Sequence, residues 1–211
     1  MINELGRTLK HRLGLPLPGQ EAQFRMANVE RQLNLARYKI PADAKSSSVL
    51  ILLYEDDGRI KIPLILRPEN SGIHSGQVSL PGGKVEPGDA NLIHTALRET
   101  EEEIGVPSSS IEMIGKLTQL YIPPSNFLVH PHLGILVSHA DFIPDKTEVA
   151  KIIPLDIEEL MDEEKVKEKD IKLSNGQTIR TPYYMIEGET VWGATAMILS
   201  ELKSLLYEVS W

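Results

Sequence analysis

The chain contains no cysteine. That absence removes disulfides, thiolate catalysis and Cys-ligated zinc together, and it suits a reducing cytosol. Long hydrophobic runs are missing too. The longest clearly apolar stretch, Val49 to Tyr54, is far short of the roughly 20 residues a membrane-spanning helix needs. The first twenty residues carry scattered charges and no continuous apolar core of a secretory signal, so a cytoplasmic protein with no membrane partner is expected. Basic charge is also in deficit: 22 Lys and Arg stand against 30 Asp and Glu, for a net charge of −8. Such a balance argues against nucleic acid as a partner, because wrapping a phosphate backbone takes a basic face. A polyanionic small molecule would need local help, from metal ions or from a few placed Lys and Arg residues. What the chain does have is 211 residues and 41% hydrophobic content, enough for one sizeable core with appendages rather than two domains.

Residues 1–45 read as an N-terminal helical extension. An amphipathic stretch (Ile2, Leu5, Leu9, Leu13) is followed by a Pro-rich break at Leu15–Gly19 and a second helical stretch around 21–37. From residue 46 to 211 a single domain is expected. Ser46–Tyr54 and Ile60–Arg67 read as a strand pair about the turn Asp56-Asp57-Gly58, with Pro63 signalling an edge or a bulge. A short strand, Gln77–Leu80, leads into Pro81-Gly82-Gly83, and a helix over 90–104 stops at Gly105 with Pro107 beyond. Strands are expected at Ile111–Tyr121, Leu128–Ser138 and Glu148–Ile153, then a short acidic helix from Asp156 to Asp162. A hairpin over Ile171–Ile186 turns at Ser174-Asn175-Gly176, and a closing helix runs from Thr190 to Glu208. The mixture of strands and interspersed helices predicts an α/β or α+β sandwich.

One segment carries the chemistry. Glu99, Glu102 and Glu103 stand at i, i+3 and i+4, so a helix there projects all three carboxylates from one face. Each unpaired like-charge pair at this spacing costs a helix roughly 0.2–0.5 kcal/mol, and a hard divalent cation such as Mg²⁺, which takes oxygen ligands together with substrate phosphates, explains the cluster. Gly82 and Gly83 let backbone N–H groups approach a phosphate, and Arg98 is positioned to pair with a carboxylate and fix its rotamer. The competing reading of the glutamates is a solvated acidic face.

The pattern Arg98-Glu99-Thr100-Glu101-Glu102-Glu103-Ile104-Gly105-Val106 resembles the second half of the Nudix box, with Thr100 at a usually apolar position. Asp89 serves as the acidic residue of the first half, one residue further from Arg98 than usual. That insertion, together with Leu64-Ile65-Leu66-Arg67 and His74 to Gly83, resembles the coenzyme A diphosphatase branch of Nudix hydrolases. The segment departs from that branch at Ile65, Pro68, Gly72 and Leu80. The resemblance implies a Nudix-type α/β/α sandwich with a mixed central sheet. It also implies a hydrolase that cleaves a nucleoside-diphosphate linkage, most specifically coenzyme A to 4′-phosphopantetheine and adenosine 3′,5′-bisphosphate. Mg²⁺ or Mn²⁺ would be held by Glu99, Glu102 and Glu103, with a coordinated water attacking the diphosphate and Arg98 orienting the carboxylates.

Nudix enzymes recruit a general base from varied places. Glu148 is the candidate outside the box, against the reading of a solvated acid opening a strand. Arg67 is either a phosphate contact or a strand-end ion pair, and the motif favours a substrate-binding role for His74, alongside Gly82 and Gly83. His130 and His132 fall on one strand face, where pocket-lining or structural roles outweigh zinc binding. Trp192 reads as core packing or as an adenine-stacking surface. The box alone leaves ADP-ribose, dinucleotides and damaged nucleotides open as substrates, since specificity lives in loops such as 70–76 and 121–127. A nucleotide-sensing module without catalysis is disfavoured by the intact glutamate set. The N-terminal helices either cap the fold or build a homodimer.

Overall fold

The computed structural model describes residues 1–33, 39–69, 75–138, 141–173 and 176–209. Its centre is a mixed sheet. Strands β1 (Lys45–Asp56), β2 (Arg59–Leu66), β3 (Val78–Ser79), β4 (Gly82–Lys84), β5 (Ile111–Lys116), β6 (Leu120–Ile122), β7 (Phe127–Leu136) and β8 (Lys151–Asp156) make it up. The path runs β3-β2-β1-β7-β5, with β4 added to β1, β6 to β7 and β8 to β2. Pairing of β1 with β7 is parallel, and the remaining pairs are antiparallel. A second, three-stranded sheet is formed by β9 (Val166–Lys172), β10 (Thr178–Ile186) and β11 (Glu189–Trp192) in the order β11-β10-β9.

Alternation along β1 divides the core in two, as a period of two requires. Ile51 and Leu53 join Leu64, Leu133 and Ile135 on the face covered by α1 (Ile2–Arg12), α2 (Gly19–Phe24) and α6 (Gly193–Tyr207). Leu50, Leu52 and Tyr54 join Ile65 and Leu136 on the other face, against Ala96 and Ile104 of α4 (Leu92–Ile104). Two short helices, α3 (Val29–Leu33) and α5 (Ile157–Met161), complete the set. The architecture is therefore the expected mixed α/β sandwich. Among the described residues no helix is long and apolar enough to cross a membrane.

Several expected elements differ. The second helical stretch is two short helices, because α2 ends at Phe24 and the Asn28 side chain accepts from Arg31 N at 2.8 Å to open α3; residues 34–38 of that stretch lie outside the described residues. The strand expected over Ile111–Tyr121 is split into β5 and β6. Between them the N–H and hydroxyl of Thr118 leave the ladder for Glu201, at 3.2 and 2.7 Å. Glu148 opens no strand. It sits in a turn with its N–H on Asp145 O at 3.0 Å, and β8 begins at Lys151. Thr190 to Trp192 belong to β11, and the last helix starts at Gly193. Pro63 lies opposite Pro154 within the β2–β8 pair. On its other flank it falls between the β1 pairing, which ends at Lys61, and the β3 pairing, which begins at Ile65. Its missing N–H therefore interrupts neither of those two ladders.

Candidate active site

The glutamate helix is anchored at both ends. Asn91 caps it by accepting from His94 N at 2.9 Å, and Gly105 closes it in the left-handed conformation at φ 73°. Thr100 fits its apolar position because its buried hydroxyl donates to Ala96 O at 2.7 Å and is not left unpaired.

Asp89 organises the loop before the helix. Its carboxylate accepts from Glu86 N at 2.9 Å and from the Thr95 hydroxyl at 2.9 Å, and lies 3.0 Å from His94 Nδ1. The Arg98 guanidinium grips it bidentately, Nε to Oδ1 at 3.0 Å and Nη2 to Oδ2 at 3.2 Å. The Asp89 side chain is 1% exposed. Arg98, first, and the Glu86 N–H next hold its carboxyl well below the usual carboxylate range. The extra residue between Asp89 and Arg98 is thus absorbed without loss of the pair.

From that anchor Arg98 reaches Glu99 at 3.0 Å, Glu102 at 2.8 Å and the Lys84 carbonyl at 3.3 Å. Glu103 is 1% exposed and accepts from Gly82 N at 2.8 Å. Burial pushes its carboxyl up to about 7; the Gly82 N–H and the charge of Arg67 pull it down, and Glu99 and Glu148 push it up again. The Glu99 carboxyl is raised by burial, lowered by Arg98, and raised by Glu102 and Glu148.

Those fields show which expected residues meet. The exposed Glu148, in the turn before β8, acts on both Glu99 and Glu103 of α4, and Arg67, just beyond β2, acts on Glu103. Glu102, with its side chain 57% exposed, stands at the outer margin. His74 lies outside the described residues. Two glycines define the inner wall. Gly82, at φ 149°, lies so close to β1 that a Cβ would fall 2.6 Å from Val49 Cα. At Gly83 a Cβ would fall on the Glu99 carboxylate, 2.6 Å from Oε2.

The donor set suits a hard divalent cation. It is all oxygen, and beyond burial the proton affinity of Glu99 is raised by Glu102 and that of Glu103 by Glu99, a concentration of negative charge. Arg98 neutralises part of that charge, and among the described residues no three acidic or imidazole groups converge into a metal-ligand cluster as they stand. Ligation would therefore require Glu99 and Glu102 to turn from Arg98.

In the sequence Asp89 is only the acidic residue of the box. The structure adds its role as the anchor of Arg98. Ser48 gave no sequence signal; it pairs with Gly83 across β1 and β4. A separate depression of about 420 Å³ lies away from the carboxylates, lined by Lys169, Lys172, Thr190 and Trp192 among others. Trp192 is half-buried there at the end of β11.

A NUDIX domain model matches residues 44–179, more than half of the chain. The "Uncharacterized Nudix hydrolase NudL" of Yersinia pestis (strain Pestoides F) is 34% identical over 153 residues, covering 68% of this chain and 76% of the relative. Among solved structures, the Nudix hydrolase RenU from M. smegmatis superposes with a TM-score of 0.55 at 13% identity, over 80% of this chain and 89% of its own. A MutT/nudix family protein from Enterococcus faecalis gives a TM-score of 0.50 at 16% identity, over 89% and 73%. Nudix hydrolases generally use divalent metal ions. On the strength of the domain match and the NudL relatives, this chain belongs to the Nudix hydrolase family and is an enzyme of that hydrolytic class.

Proposed function

We propose that this enzyme hydrolyses the diphosphate of coenzyme A or its derivatives, giving 4′-phosphopantetheine and adenosine 3′,5′-bisphosphate, with residues 46–211 as the catalytic unit and 1–45 packed upon it. The observation that carries the reaction is the wall of Gly82 and Gly83 against Glu103 and Glu99. The substrate assignment is supported by the upstream segment, Leu64 to Gly83, and by the extra residue before Arg98 that Asp89 accommodates.

Glu99, Glu102 and Glu103 would hold Mg²⁺ or Mn²⁺, which when bound neutralises diphosphate charge and makes water a stronger nucleophile near neutral pH. Arg98, fixed by Asp89, orients the Glu99 and Glu102 carboxylates. Glu148 is the proposed base: its exposed carboxylate takes the proton of the attacking water as oxygen adds to phosphorus and the bridging P–O bond breaks. Arg67 and His74 are proposed to bind substrate phosphates, with Gly82 and Gly83 keeping the approach free of side chains.

The test is a panel of coenzyme A, acyl-coenzyme A, ADP-ribose, NADH and nucleoside triphosphates with Mg²⁺ or Mn²⁺, products identified by mass. Coenzyme A is expected to be the preferred substrate, and preference for another diphosphate overturns the assignment. Glu103→Gln is expected to lower turnover by roughly 10²-fold while keeping the fold by circular dichroism. Near-wild-type turnover in a folded variant would remove Glu103 from the site.

A further inference from the structure

Beside the carboxylate site the sheet carries a second polar row that the proposed chemistry does not use. Gly83 of β4 pairs with Ser48 of β1, and Ser48 with His130 of β7. One step along β7, His132 pairs with Leu50 on one side and with Lys116 of β5 on the other. Paired residues share a face, and Leu50 faces α4, as does the missing side chain of Gly83. Ser48, His130, His132 and Lys116 therefore all lie on the face of the sheet that bears the glutamate helix. Strand spacing of about 4.8 Å puts His130 roughly 10 Å from Gly83, too far to touch the group that Gly83 and Glu99 flank.

Three nitrogen-bearing side chains share this face, and none has an acidic side-chain partner among the described residues. Lys116 is exposed and His130 half-buried, and neither has an ion-pair or side-chain hydrogen-bond partner among the described residues. His132 is 4% exposed, and its Nε2 has no hydrogen-bond partner among them. A buried polar atom left unpaired costs roughly 1–3 kcal/mol. The charge of Lys116 also disfavours protonation of both rings, after burial has done so. In a chain of net charge −8, a cation whose charge acts on two imidazoles and which has no carboxylate partner among the described residues is open to an anion brought from outside.

We infer that Lys116 and His130 bind a phosphomonoester carried by the substrate on its nucleoside side, with His132 as the positioning residue behind them. This inference rests on the proposed function only for placing a nucleotide diphosphate at Glu99 and Gly83. The dianion lies against Lys116 Nζ and the His130 ring, and the buried imidazole supports it from β7. Substrates with that phosphate are thereby selected over those lacking it.

The decisive measurement is calorimetric titration of the full chain with adenosine 3′,5′-bisphosphate and with adenosine 5′-monophosphate, which differ by one phosphomonoester. The bisphosphate is expected to bind about 10-fold more tightly or better, as one charge-assisted contact provides. Lys116→Ala, at an exposed position, is expected to bring that ratio close to one, and His130→Gln to reduce it. Equal binding of the two nucleotides to the wild type, or a ratio unchanged in Lys116→Ala, overturns the inference. Kinetic ratios for coenzyme A over dephospho-coenzyme A, and for NADPH over NADH, separate it from the substrate assignment. Discrimination within the NADPH and NADH pair alone would overturn coenzyme A and keep this subsite. Hydrolysis of coenzyme A at a rate indifferent to its phosphate would do the reverse.

Discussion

Gly83 has no side chain because Glu99 occupies the space where one would go, whereas Gly82 has none because the backbone of β1 does. The two therefore fail differently. Gly83→Ala is expected to displace a movable carboxylate, cutting turnover about 10-fold or more with little change in melting temperature. Gly82→Ala meets Ser48 O and Val49 Cα and must also adopt φ 149°, so about 2–4 kcal/mol of stability should be lost in a denaturant titration. Equal melting temperatures for the two variants would refute the distinction. His132 supplies a pH signature. Burial first, then the charges of His130 and Lys116, push its pKa down to about 4 from an ordinary 6.5. The unfolded chain then binds more protons between those values, so the contribution is full above pH 6.5 and is lost as pH falls toward 4. Comparison of wild type with His132→Leu isolates it: the wild type should lose on the order of 2 kcal/mol relative to the variant between pH 7.5 and 4.5. A constant difference across that range would show that the ring is not held neutral.

At the scale of elements, the fully buried Glu201 of α6 ties together parts distant in sequence. It accepts from Gly19 N at 3.1 Å, Gln23 Nε2 at 2.8 Å and the Thr118 hydroxyl at 2.7 Å. Glu201→Ala strands these donors and should cost about 2–4 kcal/mol, with faster proteolysis of residues 1–33 than in the wild type. An unchanged melting temperature and digestion rate would show the tie to be incidental. The same contact marks what the sequence concealed. Nothing local to Thr118 announces that its N–H leaves the ladder, so β5 and β6 read as one strand. β11 was hidden otherwise: the tight turn before it puts Glu187 at φ 48° and Gly188 at φ 81°, and glutamate is no usual turn signal. Apolar periodicity then carried the expected helix back through Thr190. By contrast, Asn91 and Gly105 bracket the glutamate helix with ordinary start and stop chemistry, and that helix was legible nearly to the residue.

For the whole molecule, readability followed sequence separation. The hairpin of β1 and β2 and the box helix are local, and their patterns predicted them. The parallel β1–β7 pair, and with it the row from Gly83 to His130, joins segments about 80 residues apart and exists only once the sheet is assembled. Glu148 shows the same limit: its influence on Glu99 and Glu103 comes from a turn, where a strand was expected. The hydrogen bond from Gly19 to Glu201 spans 182 positions. Helix α2 packs chiefly on α6, which is synthesised long after it, so during translation Phe24 has no place to bury. Until the C-terminal helix emerges, the nascent chain must carry that apolar face unshielded, and chaperone occupancy should concentrate there.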